Sequence, residues 1–188
     1  MVFLNIDEVK KIAAAGTNTD MELEIKKAFL FACYTGLRIS DLENLAWKDI
    51  EHNPLQIIKR QTKTSAKVVI PIKDSVWAFI NDGSIHNHEA LVFPLLCLIK
   101  QSRNYYLLQW MKRVKLDKNI GWHTARHTFA ILSLENGADL YTVSKLLGHK
   151  DLKTTQVYAK IIDKMKRMAV NGLPAIEMTN DPDKVVTS

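Results

Sequence analysis

Two glycines, Gly137 and Gly148, each follow an apolar run of helical period, and they constrain this chain more than any other feature. Phe129, Leu132 and Leu134 precede the first; Leu140, Val143, Leu146 and Leu147 precede the second. A glycine just past the last periodic residue readily takes the left-handed backbone that closes a helix, so each reads as a C′ cap. The stretch from Gly121 to Tyr158 is therefore predicted as helices parted by abrupt turns, which deliver His123, Arg126, His127 and His149 to or near helix ends. A third, short helix beginning near Asp151 or Thr154 should carry Tyr158, whose phenol hydrogen-bonds and can act as a nucleophile. So many polar groups exceed what a simple core would hold.

The rest of the chain supplies the frame. Asn5 with Glu8 forms a capping box ahead of a stripe of Val9, Ile12 and Ala13 that ends at Gly16. A second helix is expected from about Asp20 to Tyr34, with Leu23, the Lys27 stem, Leu30, Phe31 and Tyr34 toward the core and Gly36 closing it. Thr35 to Leu42 then turns the chain into a third helix, with Ser40 and Glu43 as its capping box, and fixes Arg38 in the turn. After Trp47 the period changes from helical to alternating. Leu55 to Lys59 and Lys67 to Ile72 flank the polar Arg60 to Ala66, which predicts an antiparallel hairpin with Lys63 at or near its tip. A short helix (Ser75 to Ile80), a polar loop (Asn81 to His88) and a basic amphipathic helix (Gln101 to Val114, with Tyr105, Leu108 and Met111 or Lys112 on one side) complete the order. The expected fold is mainly α with a small antiparallel β-sheet of about three strands (α+β): one domain over residues 1–170, and a loosely held C-terminal tail over 171–188.

Composition narrows the setting. A chain of 188 residues, 47% of them apolar, supports one well-buried core. It has neither a signal-peptide layout nor an apolar run of about 18 residues, which points to the cytoplasm. Cys33 and Cys97 lack C-x-x-C spacing and sit among apolar residues, as expected of buried thiols in a reducing compartment. The formal charge of +6 is concentrated. Lys59, Arg60, Lys63, Lys67 and Lys73 have no acid among them, and seven bases between Lys145 and Arg167 face only Asp151 and Asp163. Charge runs ordinarily make solvated faces, but these two flank the reactive-looking residues and so favour a polyanionic partner.

Cleaving a phosphodiester without metal requires a nucleophile, cations on the non-bridging oxygens and an acid for the leaving oxygen. Arginine matches phosphate with a planar, permanently charged fork, which suits Arg38 and Arg126. Lysine is the better proton donor, because neighbouring cations lower its pKa, and Lys63 sits where a hairpin tip can move. Tyr158 ionises too high to attack unaided at neutral pH; His123 and His149 are placed to help. Singly, each residue has a structural explanation: Arg38 could pair with Asp41 or Glu43, and Tyr158 could be core. His123 and His127, four apart, raise a zinc reading, but Thr124 stands where the metalloprotease motif needs Glu and no third ligand has suitable spacing.

In order, Leu37-Arg38-Ile39-Ser40-Asp41-Leu42, a basic hairpin, His123-x-x-Arg126-His127-Thr128-Phe129-Ala130, Leu146-Leu147-Gly148-His149 and Thr154-Thr155-x-x-Tyr158-Ala159 resemble the catalytic domain of the tyrosine recombinase (phage-type integrase) family, over roughly residues 3 to 170. The resemblance implies that Arg38 and Arg126 bind the phosphate, Lys63 is the acid, His123 and His149 are the active-site histidines, Tyr158 forms a 3′-phosphotyrosine link to DNA, and His127 supports them. It further implies double-stranded DNA as partner, a homo-oligomer (tetramer) on DNA, and no metal, ATP or other cofactor. A bacterial or mobile-element origin and nucleoid association would follow. Members ordinarily carry an additional N-terminal core-binding domain, expected to be absent here because the chain begins where the catalytic domain should. The other functions weighed are type IB topoisomerase-like relaxation and a non-catalytic DNA-binding module.

Overall fold

The computed structural model describes residues 1–174, so most of the expected tail lies outside the described residues. At its centre stands α2 (Asp20–Thr35), capped by the Thr19 hydroxyl, which accepts from Glu22 N, and closed by Gly36 at φ +68°. Ile25, Ala28, Phe29, Leu30, Phe31, Ala32 and Cys33 bury nearly its whole circumference, the pattern of a helix enclosed on all sides. Enclosing it are α1 (Ile6–Ala14), the four-residue α3 (Ile39–Leu42), α5 (Pro94–Leu98), α6 (Arg103–Val114) and α7 (Trp122–Glu135). The Asn5/Glu8 capping box opens α1 as the sequence predicts.

The sheet has the order β1 (Ile50–His52), β2 (Leu55–Arg60), β3 (Lys67–Pro71), antiparallel throughout, with Ile57 opposite Ile70 and Arg60 opposite Lys67. Alternation turns Ile57, Val68 and Ile70 inward. It also leaves residues 61–66 as the tip, one residue shorter than the expected Arg60 to Ala66 because Arg60 still pairs in β2, followed by α4 (Asp74–Trp77). A second, smaller core forms where α7 meets α8 (Leu140–Leu147) and α9 (Lys153–Asn171); Phe129, Ile131, Val143, Leu147 and Tyr158 fill it.

Several expectations are corrected. Ser40 lies inside α3 and caps nothing; Arg38 is the N-cap residue, without a side-chain cap bond, and the Glu43 carboxylate pairs with Arg103 instead. Leu23 is 40% exposed, because it sits in the first turn of α2, ahead of the fully enclosed segment. Cys97 is exposed: on the short α5 it is Leu96 that points inward. The buried face of α6 is Leu107, Trp110, Met111 and Val114, spaced i, i+3, i+4 and i+7, so Tyr105 and Leu108 face out. The helix bearing Tyr158 is 19 residues long rather than short, because no glycine or proline interrupts it before Gly172. The third strand, β1, lies just after Trp47, where no individual strand was assigned from sequence.

Candidate active site

Arg126 lies on the inward face of α7 and is 5% exposed. Its Nη1 donates to Gly36 O and its Nη2 to Leu147 O, both at 2.6 Å. These carbonyls stand at the C-terminal ends of α2 and α8, where helices leave acceptors unsatisfied and the dipole is negative. The two helix-closing glycines are what bring those ends so close. A Cβ on Gly36 would lie 2.5 Å from Phe129 Cδ1, and one on Gly148 (φ +63°) would lie 2.5 Å from Gln61 Oε1. Burial and the nearby Arg38 charge push the Arg126 pKa down, while Tyr158 and Asp41 pull it back up. The guanidinium remains cationic at neutral pH.

Arg38, half-buried in the α2–α3 turn, donates from Nη1 to Gln61 Oε1 at 2.5 Å. Neither Asp41 nor Glu43 forms an ion pair with it among the described residues, although the Asp41 charge acts on both arginines. Asp41 is fully buried, and its Oδ1 accepts from Thr62 N at 2.7 Å, tying the base of the hairpin tip to α3. Both arginines are thus held chiefly by neutral acceptors, and most of their charge is left for an anion.

Tyr158 is 3% exposed and packs in the smaller core, with its hydroxyl 3.0 Å from His127 Nδ1. Burial raises its pKa; Arg126 and Arg38 act in the opposite sense. The His127 pKa falls to about 4, first through burial and then through His123 and Arg126, so its imidazole is neutral at pH 7. His149 follows the glycine closing α8. Its Nδ1 is 2.8 Å from the buried Thr155 hydroxyl, and burial, Arg126 and Arg38 lower its pKa to about 4 as well. His123 is exposed, its ring centroid 6.4 Å from that of His127. Lys63 is exposed at the hairpin tip, without a hydrogen bond or ion pair among the described residues.

The structure therefore gathers Arg38, Arg126, His149 and Tyr158, sets His123 at the rim of this group and leaves Lys63 outside it. The neighbour of the Tyr158 hydroxyl is His127, which sequence reasoning gave only a supporting place. Gln61 and Thr155 were missed. Strand parity carried from Ile57 through Lys59 points Gln61 inward, and Thr155 shares a helical face with Tyr158 three residues on. Among the described residues, no group of three or more His, Cys, Asp or Glu is arranged to hold a metal ion.

A buried arginine, a half-buried one, an adjacent tyrosine and a basic hairpin come together on a mainly helical domain. Residues 2–165 match the phage integrase family, and the chain belongs to that family, the tyrosine recombinases. It is 33% identical over 170 residues to the tyrosine recombinase XerD of Halalkalibacterium halodurans, covering 84% of this chain and 56% of that protein. It is 33% identical over 182 residues to the tyrosine recombinase XerA of Pyrococcus horikoshii, covering 93% and 62% respectively. The chain thus spans about 60% of the length of the relatives it matches. A crystal structure of XerA recombinase superposes with a TM-score of 0.71 at 22% identity, over 94% of this chain and 65% of that one. The catalytic domain of bacteriophage HP1 integrase superposes at 0.60 and 22% identity, over 93% and 96%. These likenesses confirm the expected fold class.

Proposed function

We propose that this chain is the catalytic domain of a site-specific recombinase, residues 1–170, which cuts and rejoins double-stranded DNA through a covalent 3′-phosphotyrosine. The carrying observation is that two guanidiniums, held by neutral acceptors, lie near enough to Tyr158 for their charge to act on its phenol. The scissile phosphate would lie on Arg38 and Arg126, whose charge grows in value as the non-bridging oxygens gain charge in the transition state. Tyr158 Oη attacks phosphorus and passes its proton to the neutral His127 Nδ1, 3.0 Å away; the P–O5′ bond breaks, and Lys63, swung in on the hairpin, protonates the departing 5′ oxygen. His127 orients the phenol, and His149, fixed by Thr155, adds a donor beside the arginines, with His123 at the rim. Rejoining is the reverse: a 5′ hydroxyl attacks the phosphotyrosine and Lys63 takes its proton back. The bond energy stays in the protein–DNA link, so neither ATP nor a metal is required.

A XerH recombinase solved bound to a palindromic difH substrate, in a post-cleavage complex, has this fold at a TM-score of 0.62 and 21% identity. Double-stranded DNA is the partner this supports, with a homotetramer on DNA and a cytoplasmic, nucleoid-associated location as the finer reading. No helix among the described residues is long and apolar enough to cross a membrane.

The test is covalent capture on a nicked substrate in excess EDTA. The wild-type chain should yield an adduct mapping to Tyr158, and Tyr158→Phe should bind DNA but yield none. An adduct on Tyr105 or Tyr141, or an unimpaired Phe variant, would remove the assignment.

A further inference from the structure

Gln61 is a polar residue buried to 1% exposure at the end of β2, two positions before Lys63, and its amide is used at both ends. Oε1 accepts from Arg38 Nη1 at 2.5 Å and from the Thr64 hydroxyl at 2.9 Å; Nε2 donates to Leu147 O at 2.9 Å. Leu147 O is the same oxygen that receives Arg126 Nη2. A continuous chain of hydrogen bonds therefore runs from Arg38 through the Gln61 amide and the end of α8 to Arg126. Its side branch reaches the hairpin tip. Gly148 lies so close to this amide that any larger residue would displace it.

We propose that Gln61 is a positioning residue for strand cleavage, setting Arg38 in register with Arg126 and with the hairpin that carries Lys63; this rests on the recombinase reading above. The amide suits the task better than a carboxylate would. Two guanidiniums repel, and an acidic tether would hold Arg38 but cancel the charge that the phosphate needs. An amide holds it without neutralising it, and its N–H₂ end gives Leu147 O a second donor beside Arg126 Nη2. The same substitution pattern separates positioning from packing. Gln61→Met preserves bulk but removes every bond; Gln61→Glu preserves the bond to Arg38 but loses the donor and adds a negative charge.

The experiment compares single-turnover cleavage of a substrate carrying an ordinary scissile phosphate with one carrying a neutral methylphosphonate there. The rate ratio is taken within one preparation, so any unfolded fraction cancels. Misplacement of a binding group by about an ångström costs up to ~10²-fold, so Gln61→Met should lower the phosphate/methylphosphonate ratio by roughly 10-fold or more. Gln61→Glu should lower it at least as far. Arg38→Ala should lower it further, and adding Gln61→Met to Arg38→Ala should change it little, since one residue acts through the other. Equal losses on both substrates, or additive effects in the double variant, would reduce Gln61 to a packing residue. A second readout is independent of cleavage. In ¹⁵N NMR spectra of the DNA-free protein, the Arg38 side-chain N–H signal should shift or broaden in Gln61→Met. An unchanged signal overturns the proposal even where cleavage is seen. A wild-type chain without a Tyr158 adduct overturns the recombinase reading instead, and the Arg38 signal then decides the role of Gln61 alone.

Discussion

The buried arginines and the hairpin tip are both cationic and lie within a few residues of one another along the Gln61 connection, yet they are built in opposite ways. Arg126 is enclosed, and two helix-terminal carbonyls fix its guanidinium at 2.6 Å. Lys63 projects into solvent from a six-residue connection. A charge that must stabilise a transition state is worth most when preorganised and dry, because no reorganisation is then required during the reaction. A proton donor must reach its target and withdraw, which a fixed side chain does poorly. In the proposed reaction, rigidity and exposure thus divide two tasks between two regions.

The sharpest way to break this comparison is at its rigid end. Arg126→Ala should lower adduct formation by roughly 10²- to 10³-fold, the cost of removing a preorganised donor. It should also cost about 1–3 kcal/mol of stability, since Gly36 O loses its donor in a buried place while Leu147 O keeps that of Gln61. Urea unfolding with adduct quantification reads both. Loss of activity with unchanged stability would mean that the helix ends do not depend on this guanidinium.

The flexible end should respond in rate only. Lys63→Ala should slow cleavage on the order of 10²-fold, as for removal of a general acid. The midpoint of unfolding should hardly move, within about 0.5 kcal/mol for an exposed site. A 5′ bridging sulfur, which leaves without protonation, should restore most of the rate in this variant and not in Arg38→Ala. Rescue of Lys59→Ala or Lys67→Ala instead would transfer the acid to that neighbour. Lys59 starts at a disadvantage, since its Nζ is tied to Asp49 at 2.6 Å.

How much of this was legible beforehand follows from the range of the interactions. Gly36 and Gly148 end helices for local backbone reasons, and the hairpin alternates with period two, so both could be read from the chain. The inward face of α6 was legible but missed: Leu107, Trp110, Met111 and Val114 carry the i, i+3, i+4, i+7 spacing of a buried face, while the apolar Tyr105 and Leu108 mark the other side. The site divides by the range of its contacts. The arginines and Tyr158 stood out by type and order, and family resemblance implied the roles proposed for them. Contacts between His127 and Tyr158, or between Gln61 and Arg38, join residues 31 and 23 positions apart and exist only once the helices have packed. Ser40 misled for a related reason, because Glu43 had a distant partner in Arg103 that no local pattern announces.

The smallest effect concerns protons, and it again sets the enclosed region against the exposed one. His127 and His149 titrate at about 4 when folded, below the ordinary value near 6.5. Between those values the unfolded chain binds more protons than the folded one, so acidification through this window favours unfolding; above about pH 6.5 neither state holds the extra protons and stability is unaffected. From pH 7 to pH 5 the upper bound is ~2 kcal/mol per histidine, which solvent screening at these half-exposed rings reduces to ~1. That corresponds to a fall in Tm of roughly 2–4 °C for each ring in a chain of this size. Ordinary carboxylates change little over this interval, so the histidines should dominate the slope. Thermal melts across the interval should show a shallower decline for His149→Gln than for the wild type, and parallel lines would mean that His149 is not held neutral. Bound DNA supplies the discriminating arm. A phosphate between Arg38 and Arg126 offsets the repulsion that those arginines exert on an imidazolium, so the folded pKa should rise and the decline should flatten in the complex. The exposed hairpin has no such histidine, and Lys63→Ala should leave both slopes as they are.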